Sequence, residues 1–282
     1  MNMIEAMAAR VSTRSFGGGS FARGEADALS AMLDSVQKEK TPFGNKVRLA
    51  FYENADDGKP AKLGTYGLIS GASAFIVPAV SAGSGAMEDA GFILEKAVLE
   101  ATALGYASCW IGGVFSRGKA AEAVVAAEGE LVPAVIALGK PAARTSLADR
   151  IVTGAAKSRS RKALELIVFA LDGASLEEPW LGVVSAMQGA PSASNKQPWR
   201  LLRVTGEEWL LFLAEDRVYN NSLGEVHIQN LDMGIAMRHF FEAAKSAGLP
   251  GAWGSITAGR DSLKTALRFG EERNWTPIAL WE

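Results

Sequence analysis

The sequence predicts an α+β protein made of two related halves, and three observations predict it. Helix-period stretches and short strand-like apolar runs alternate along the 282 residues. Asp89, Gly91, Ala101, Gly105 and Trp110 recur as Asp232, Gly234, Ala244, Gly248 and Trp253 at a constant offset of 143 residues, close to half the chain. Agreement of so many special residues across one helix and its exit reads as an internal duplication. The period is far too long for a solenoid and fits two fused copies of one subunit, residues 1–156 and 157–282. The third observation is a polar loop just past the middle, Gly189-Ala190-Pro191-Ser192-Ala193-Ser194-Asn195-Lys196-Gln197-Pro198-Trp199-Arg200. Two prolines fix its backbone, and the side chains between them carry hydroxyls and amides free to hydrogen-bond.

Composition narrows the function classes. Apolar residues at 48% and charged residues at 21% describe a soluble globular chain, and a formal net charge of −2 supplies no basic field for nucleic acid. No apolar run reaches the roughly 20 residues of a bilayer span, and no apolar signal segment follows Met1, so a cytoplasmic address is expected. Cys109 is the only cysteine, which excludes an internal disulfide. With only His227 and His239 beside it, no metal site is expected, and the chemistry is expected to come from a bound organic cofactor.

In chain order, residues 3 to 10 read as an amphipathic helical turn ending in Arg10, and Gly17-Gly18-Gly19 breaks any continuation. Residues 24 to 38 form a helix with Ala28, Met32 and Val36 on one stripe. Lys46 to Tyr52 and Ala74 to Val77 read as strands, the second ended by Pro78. A long helix from about Met87 to Leu104 is capped by Gly105, and Leu131 to Leu138 is a further strand. In the second half, Leu164 to Leu171 and Trp180 to Met187 read as helical, and Leu201 to Val204 and Trp209 to Ala214 as strands. Leu231 to Ala247 is a helix ended by Gly248, and Thr276 to Trp281 is a terminal strand, either sheet edge or core.

Three segments invite a chemical reading. Arg10-Val11-Ser12-Thr13-Arg14 places two arginines four apart with hydroxyls between them and no acid from Glu5 to Glu25, a pattern that suits one small anion as well as an exposed basic turn. Gly112 and Gly113 after Cys109-Trp110-Ile111 either turn the chain or let backbone N–H groups approach a planar ring, while Trp110 on its own merits reads as core. The polar loop is on local grounds equally a plain helix-to-strand turn.

The string Ala190-Pro191-Ser192-Ala193-Ser194-Asn195-Lys196-Gln197-Pro198-Trp199 closely resembles the loop of the flavin-dependent nitroreductase family that reaches across a dimer interface to flavin mononucleotide (FMN). Arg-x-Ser-x-Arg at Arg10, Ser12 and Arg14 resembles the segment that holds the flavin phosphate in that family. The segment Trp110 to Gly113 resembles the one beside the flavin ring. The strand ending at Gly139-Lys140-Pro141, followed by a basic cluster, resembles the end of a nitroreductase subunit, where a late basic residue closes on the phosphate; Arg159 is the choice within Lys157, Arg159, Arg161 and Lys162. A bare charge run of this kind is otherwise a solvated face.

The resemblance covers nearly the whole chain and implies a nitroreductase-like fold: two intertwined halves form an internal pseudo-dimer, with sheets flanked by helices. The cofactor site it implies is Arg10, Val11, Ser12 and Arg14, then Trp110, Ile111, Gly112 and Gly113, then Arg159, then Pro191, Ser192, Ala193, Ser194 and Asn195. Only one complete set of motifs survives, because Pro42-Phe43-Gly44-Asn45-Lys46 stands where the serine loop should be in the first copy, and Gly254-Ser255 replaces the glycine pair in the second. The implied activity is NAD(P)H-driven, ping-pong reduction of a nitroaromatic, quinone or similar acceptor, with no catalytic side chain required. The alternatives are a flavin-binding protein without turnover and a flavin-free interaction protein that keeps the fold. The interface being internal, a monomer or weak homodimer is expected. No obvious substrate-specificity helix stands out, which leaves the acceptor open.

Overall fold

The structure is a computed structural model that describes residues 1–53, 63–65, 67–143, 160–257 and 259–282. Two long helices form its centre. The first, α3 (Ala86–Ala103), is buried on nearly every face, and the second, α7 (Ile228–Ser246), is buried to the same degree and packs along it. They cross where each offers a glycine. A Cβ built on Gly91 would overlap the carbonyl oxygen of Leu231 and stand 3.2 Å from the Cα of Gly234, and one on Gly234 would overlap the carbonyl oxygen of Glu88. Only backbone fits between the helices at this point.

Residues offset by 143 make matching contacts. Gly105 and Gly248 take φ of +88° and +71° just past the two helices, and the N–H groups of Tyr106 and Leu249 return to the carbonyls of Ala101 and Ala244, each at 2.9 Å. The indoles of Trp110 and Trp253 each donate back to the long helix of their own half, to Glu95 Oε2 at 2.8 Å and to the Met237 carbonyl at 3.0 Å. Asp89 accepts the backbone N–H groups of Phe43 and Asn45, and Asp232 accepts that of Ala193.

Each long helix has a sheet. The first contains β1 (Val47–Glu53), β2 (Ala74–Ser81), β3 (Ala107–Ile111), β4 (Glu130–Leu131) and β5 (Val135–Gly139), in the order β1-β2-β5-β3 with β4 also on β2, all antiparallel. The second runs β6-β7-β8-β10-β9, comprising β6 (Val168–Ala170), β7 (Trp199–Arg203), β8 (Trp209–Leu213), β9 (Trp253–Gly254) and β10 (Thr276–Trp281); β6 lies parallel to β7 and the rest are antiparallel. Shorter helices flank them: α1 (Met3–Ala9), α2 (Arg23–Val36), α4 (Arg117–Val124), α5 (Trp180–Gln188), α6 (Arg217–Asn220) and α8 (Asp261–Glu271). A capping box starts α1, with the Asn2 side chain accepting from Glu5 N–H and the Glu5 carboxylate accepting from Asn2 N–H, both at 2.9 Å. Among the described residues no helix is long and apolar enough to cross a membrane.

The mixed helix-and-sheet class is as expected, and several element boundaries are not. The strand expected to end before Pro78 continues to Ser81. Pro78 faces Leu49 of β1, whose own N–H goes to Gln37 Oε1 at 3.0 Å, while β5 pairs only to Ile76 and β4 resumes at Val80. The N–H that proline lacks would have met no strand there. The expected strand from Leu131 to Leu138 is instead two, β4 and β5, separated at Pro133. Leu164 to Leu171 is not a helix: after one 3-10 turn at Leu164–Leu166 the apolar run pairs Val168, Phe169 and Ala170 with Leu201, Leu202 and Arg203. A short apolar run suits either structure, and the open edge of β7 decides. The terminal run is core, since Trp281 is buried and β10 lies between β8 and β9.

The glycine crossing yields the first test. Gly234→Ala forces the two helix backbones apart and should cost at least about 3 kcal/mol, the upper range for overpacking. Gly118→Ala, on the exposed face of α4 with open space around its Cβ position, should be neutral or stabilising by up to about 1 kcal/mol. Urea unfolding of both proteins measures this, and a Gly234→Ala midpoint equal to wild type would remove the close crossing from the fold.

Candidate functional site

A cavity opens where four segments meet beside the helix crossing. Ser12 and Arg14 come from the stretch after α1, Trp110 and Gly112 from the end of β3, Pro191 to Ser194 from the loop between α5 and β7, and Ile228, Leu231, Asp232 and Ile235 from the first turns of α7, with Ala134 behind them. The chain after α1 is laid on the first sheet by bridges of Ser12 to Ser108, Ser15 to Ser70 and Phe16 to Pro141, with Thr13 N–H donating to the Ser108 carbonyl at 2.8 Å. Because β3 returns along α3, its end reaches α7, and a Cβ on Gly112 would collide with Ile228. Gly113 faces open space.

The polar loop is shaped under strain. Ser194, Asn195 and Gln197 take φ of +49°, +53° and +48°, a region that costs a non-glycine residue on the order of 1 kcal/mol or more. Side chains hold it there. Gln197 N–H donates to Ser192 Oγ at 2.9 Å, the buried Gln197 amide takes the Lys162 N–H at 2.8 Å, and Asn195 Nδ2 donates to the Ser160 carbonyl at 3.0 Å. Ser194 Oγ pairs with Tyr219 Oη at 2.9 Å, and Ala193 N–H donates to Asp232 Oδ1 at 2.9 Å. Strain retained by so many partners marks a place where shape is used.

Charge is distributed differently from the local sequence reading. Arg10 does not stand apart from acids: its Nε lies 3.8 Å from Oε1 of Glu95, a fully buried carboxylate of α3 that also meets His239 Nε2 at 2.9 Å and accepts from Trp110 Nε1. The acid comes from another helix, so a search of neighbouring residues misses it. Arg161 lies close by, its pKa lowered by burial and then by Arg10, and its guanidinium donates to the carbonyls of Gly189 and Ser160, each at 3.0 Å. Arg159, the expected late basic residue, lies outside the described residues.

Asp232 is the cavity's acid. It is 2% exposed, and burial pushes its carboxyl well above the usual carboxylate range against the one backbone N–H, from Ala193, that lowers it. Its Oδ2 has no hydrogen-bond partner. Sequence comparison marks Asp232 as a repeat residue only.

Of the expected site residues, Ser12, Arg14, Trp110, Gly112, Pro191, Ser192, Ala193 and Ser194 line the cavity together. Val11 projects to solvent, Ile111 packs into the core behind β3, and Asn195 turns toward Ser160. Asp232 lines the cavity without having been singled out for it, while Arg161 and Lys162, from the basic cluster in which Arg159 is the choice, support the loop from behind through Gly189, Lys196 and Gln197. An apolar wall of Ile228, Leu231 and Ile235, together with the serines and Arg14, suits a ligand with a flat apolar body and an anionic tail.

Lys162 gives a pH test of the loop's support. Its Nζ donates to the carbonyls of Lys196 and Gln197 at 2.8 and 3.0 Å, and burial, then Arg200 and Lys196, lower its pKa to about 8. An unfolded lysine titrates near about 10.4. Between these values the unfolded chain binds more protons, so this group's destabilisation is complete below pH 8 and is relieved as pH rises above it. Wild-type stability should therefore gain on Lys162→Met as pH rises from about 8 to about 10. Chemical denaturation across that range measures the gap, and a gap independent of pH would place the ammonium in solvent.

The family described as "Putative TM nitroreductase" matches residues 2–244. No curated protein matches the chain. Among solved structures, one described as "a putative nitroreductase" from Thermotoga maritima is 19% identical, with 92% of this chain and 91% of that one covered and a TM-score of 0.58. A nitroreductase from Bacteroides fragilis with bound FMN is 21% identical over 52% of this chain and 92% of its own, with a TM-score of 0.40. A nitroreductase family protein from Clostridium difficile is 16% identical over 59% of this chain and 97% of its own, with a TM-score of 0.42. The Thermotoga maritima structure shows a shared fold, the family match covers most of the chain, and the protein belongs to this nitroreductase family.

Proposed function

We propose that the protein is an FMN-dependent oxidoreductase of the nitroreductase type, which takes reducing equivalents from NAD(P)H and delivers them to a nitroaromatic, quinone or similar acceptor. The observation that carries this reading is the convergence of Ser12, Arg14, Trp110 and Gly112 from one half with Pro191 to Ser194 from the other on a single cavity. When bound, FMN supplies reversible hydride and electron transfer between donor and acceptor.

The residues present fit that group. Open space beside Gly113 lets a planar ring approach the backbone, the orphaned Asp232 Oδ2 offers one polar contact, and Arg14 with Ser12 can meet a phosphate. The apolar residues of α7 exclude water from one side of the cavity. Donor and acceptor then use the remaining opening in turn, which is a ping-pong scheme. No proton transfer by a side chain is invoked.

We also infer one flavin per chain, in a pseudo-dimer made by fusion of two subunits. A second cavity lies at positions offset by 143, where Gly85, Glu88 and Pro277 answer Ile228, Leu231 and Ala134. Its described lining carries Glu88 and His227 and no arginine, and the Phe43 ring fills the space beside Gly85. Glu88 is buried, and a phosphate would face it with no guanidinium among the described lining residues.

Titrating apo-protein with FMN should saturate at one equivalent, and without oxygen NAD(P)H should be consumed beyond one equivalent of bound flavin only when a quinone or nitroaromatic is added. Saturation at two equivalents would reassign the second cavity. Charge-assisted hydrogen bonds contribute roughly 1.5 to 3 kcal/mol each, so Arg14→Ala should weaken FMN binding by about 10- to 150-fold. Riboflavin, without a phosphate, should be indifferent to the change. Arg10→Ala should weaken FMN binding too, and it should lower the unfolding midpoint as well because it takes a cation from buried Glu95. FMN affinity within about twofold of wild type in both proteins, below the worth of one such bond, would remove the phosphate from this end of the cavity.

A further inference from the structure

The two long helices carry an aspartate at matching positions, and the two carboxyls are not equally satisfied. Asp89 is saturated: Phe43 N–H donates to Oδ1 at 3.0 Å, and Asn45 N–H and Asn45 Nδ2 both donate to Oδ2 at 2.9 Å. Asp232 receives a single bond, from Ala193 N–H to Oδ1 at 2.9 Å. Its Oδ2 is enclosed and lacks a partner, and the residue is one of those that line the cavity, with Trp110 and Ser192. Among the described residues no cation stands within ion-pair distance of it.

A carboxyl enclosed in this way holds its proton, because a charge with one N–H for company is poorly solvated. The proton belongs on Oδ2, since Oδ1 is engaged as an acceptor. An aspartic acid in that form has one oxygen that accepts from the loop and one hydroxyl donor left without an acceptor among the described residues. The helix that lacks the serine loop nearby has no such vacancy in its bonding, so the unsatisfied donor appears only in the half whose cavity has the rest of the site.

We propose that Asp232 is a contact to the bound flavin, with its Oδ2–H donating a hydrogen bond to an acceptor atom of the cofactor while Oδ1 fixes the loop through Ala193. The proposal rests on the flavin reading of this cavity. It assigns Asp232 a binding and positioning role, tying the loop's placement to cofactor occupancy through one side chain.

Infrared difference spectroscopy on adding FMN to apo-protein reads the contact directly. In the wild type the carboxylic acid C=O stretch should shift on binding. The Asp232→Asn protein should lack that feature, and Asp89→Asn should keep it. Asparagine presents a carbonyl to Ala193 and an N–H to the cavity, so Asp232→Asn should bind FMN within about threefold of wild type. Asp232→Leu, of similar size and without a donor, should bind at least about tenfold more weakly, near the upper worth of one hydrogen bond. If wild type binds FMN with no change in the carboxyl band, or if the Leu variant binds as tightly as the Asn variant, the contact is refuted and the flavin site stands. If the wild type does not bind FMN, the flavin reading itself falls.

Discussion

The fold depends on the backbone contact between α3 and α7 at Gly91 and Gly234. Two helices this close admit no side chain between them, so their relative height is fixed, and with it the height of whatever follows or precedes them. Buried polar groups reinforce that register. Arg238 donates Nε to the Phe92 carbonyl at 3.0 Å and lies over the Phe92 ring at 3.6 Å, while Lys96 and Arg238 share Glu242. These groups are satisfied only in this alignment, so any slip of one helix along the other would strand a buried charge. The end of β3 is thereby held against the start of α7, and the cavity is the gap that remains.

Within this frame the same residue type serves two ends. An aspartate near the start of each long helix gathers the N–H groups of a nearby loop, which is a structural task that both halves need. In the first half the short loop Pro42 to Lys46 brings enough donors to exhaust the carboxylate, and the Phe43 ring lies against Gly85. In the second half the longer loop is stabilised from elsewhere, by Lys162, Ser160 and Tyr219, and it gives only one bond to Asp232. Strain at Ser194, Asn195 and Gln197 is tolerated because those outside partners over-determine the loop. The difference between a sealed loop and an open one is therefore the number of donors each turns toward its aspartate.

What was legible in the sequence follows the range of the physics involved. Glycine, proline and aspartate act on their own backbone or on the next turn, so Gly105, Gly248, the two prolines of the loop and the repeat could be read directly. The lining residues Ser12, Gly112 and Ser192 came with the motifs that contain them. Contacts made across the fold were hidden. Glu95 reaches Arg10 from another helix, so the stretch around Arg10 looked free of acid. Pro78 stays inside a strand because of where β4 and β5 stop, and Val168 to Ala170 becomes a strand because β7 has an edge to offer. Asp232 stood out as a repeated residue, but the bare oxygen that distinguishes it from Asp89 depends on how many N–H groups the folded loop sends its way.

That asymmetry bears on the fusion proposed above. In a symmetric dimer one gene position supplies both sites, so a bulky residue that altered one cavity would alter the other, and a polar loop kept for one would be kept for both. A single chain with two copies has no such coupling. Phe43 can fill the space beside Gly85 while the matching place in the second half keeps its serines, and buried Glu88 can stand where Leu231 gives the other cavity an apolar wall. Sealing also has a thermodynamic direction, because a closed loop with a saturated carboxylate removes both the strain and the unsatisfied oxygen that the open loop retains. One copy could therefore gain stability by satisfying its aspartate, and the strained loop persists in the half whose cavity is proposed to hold the flavin.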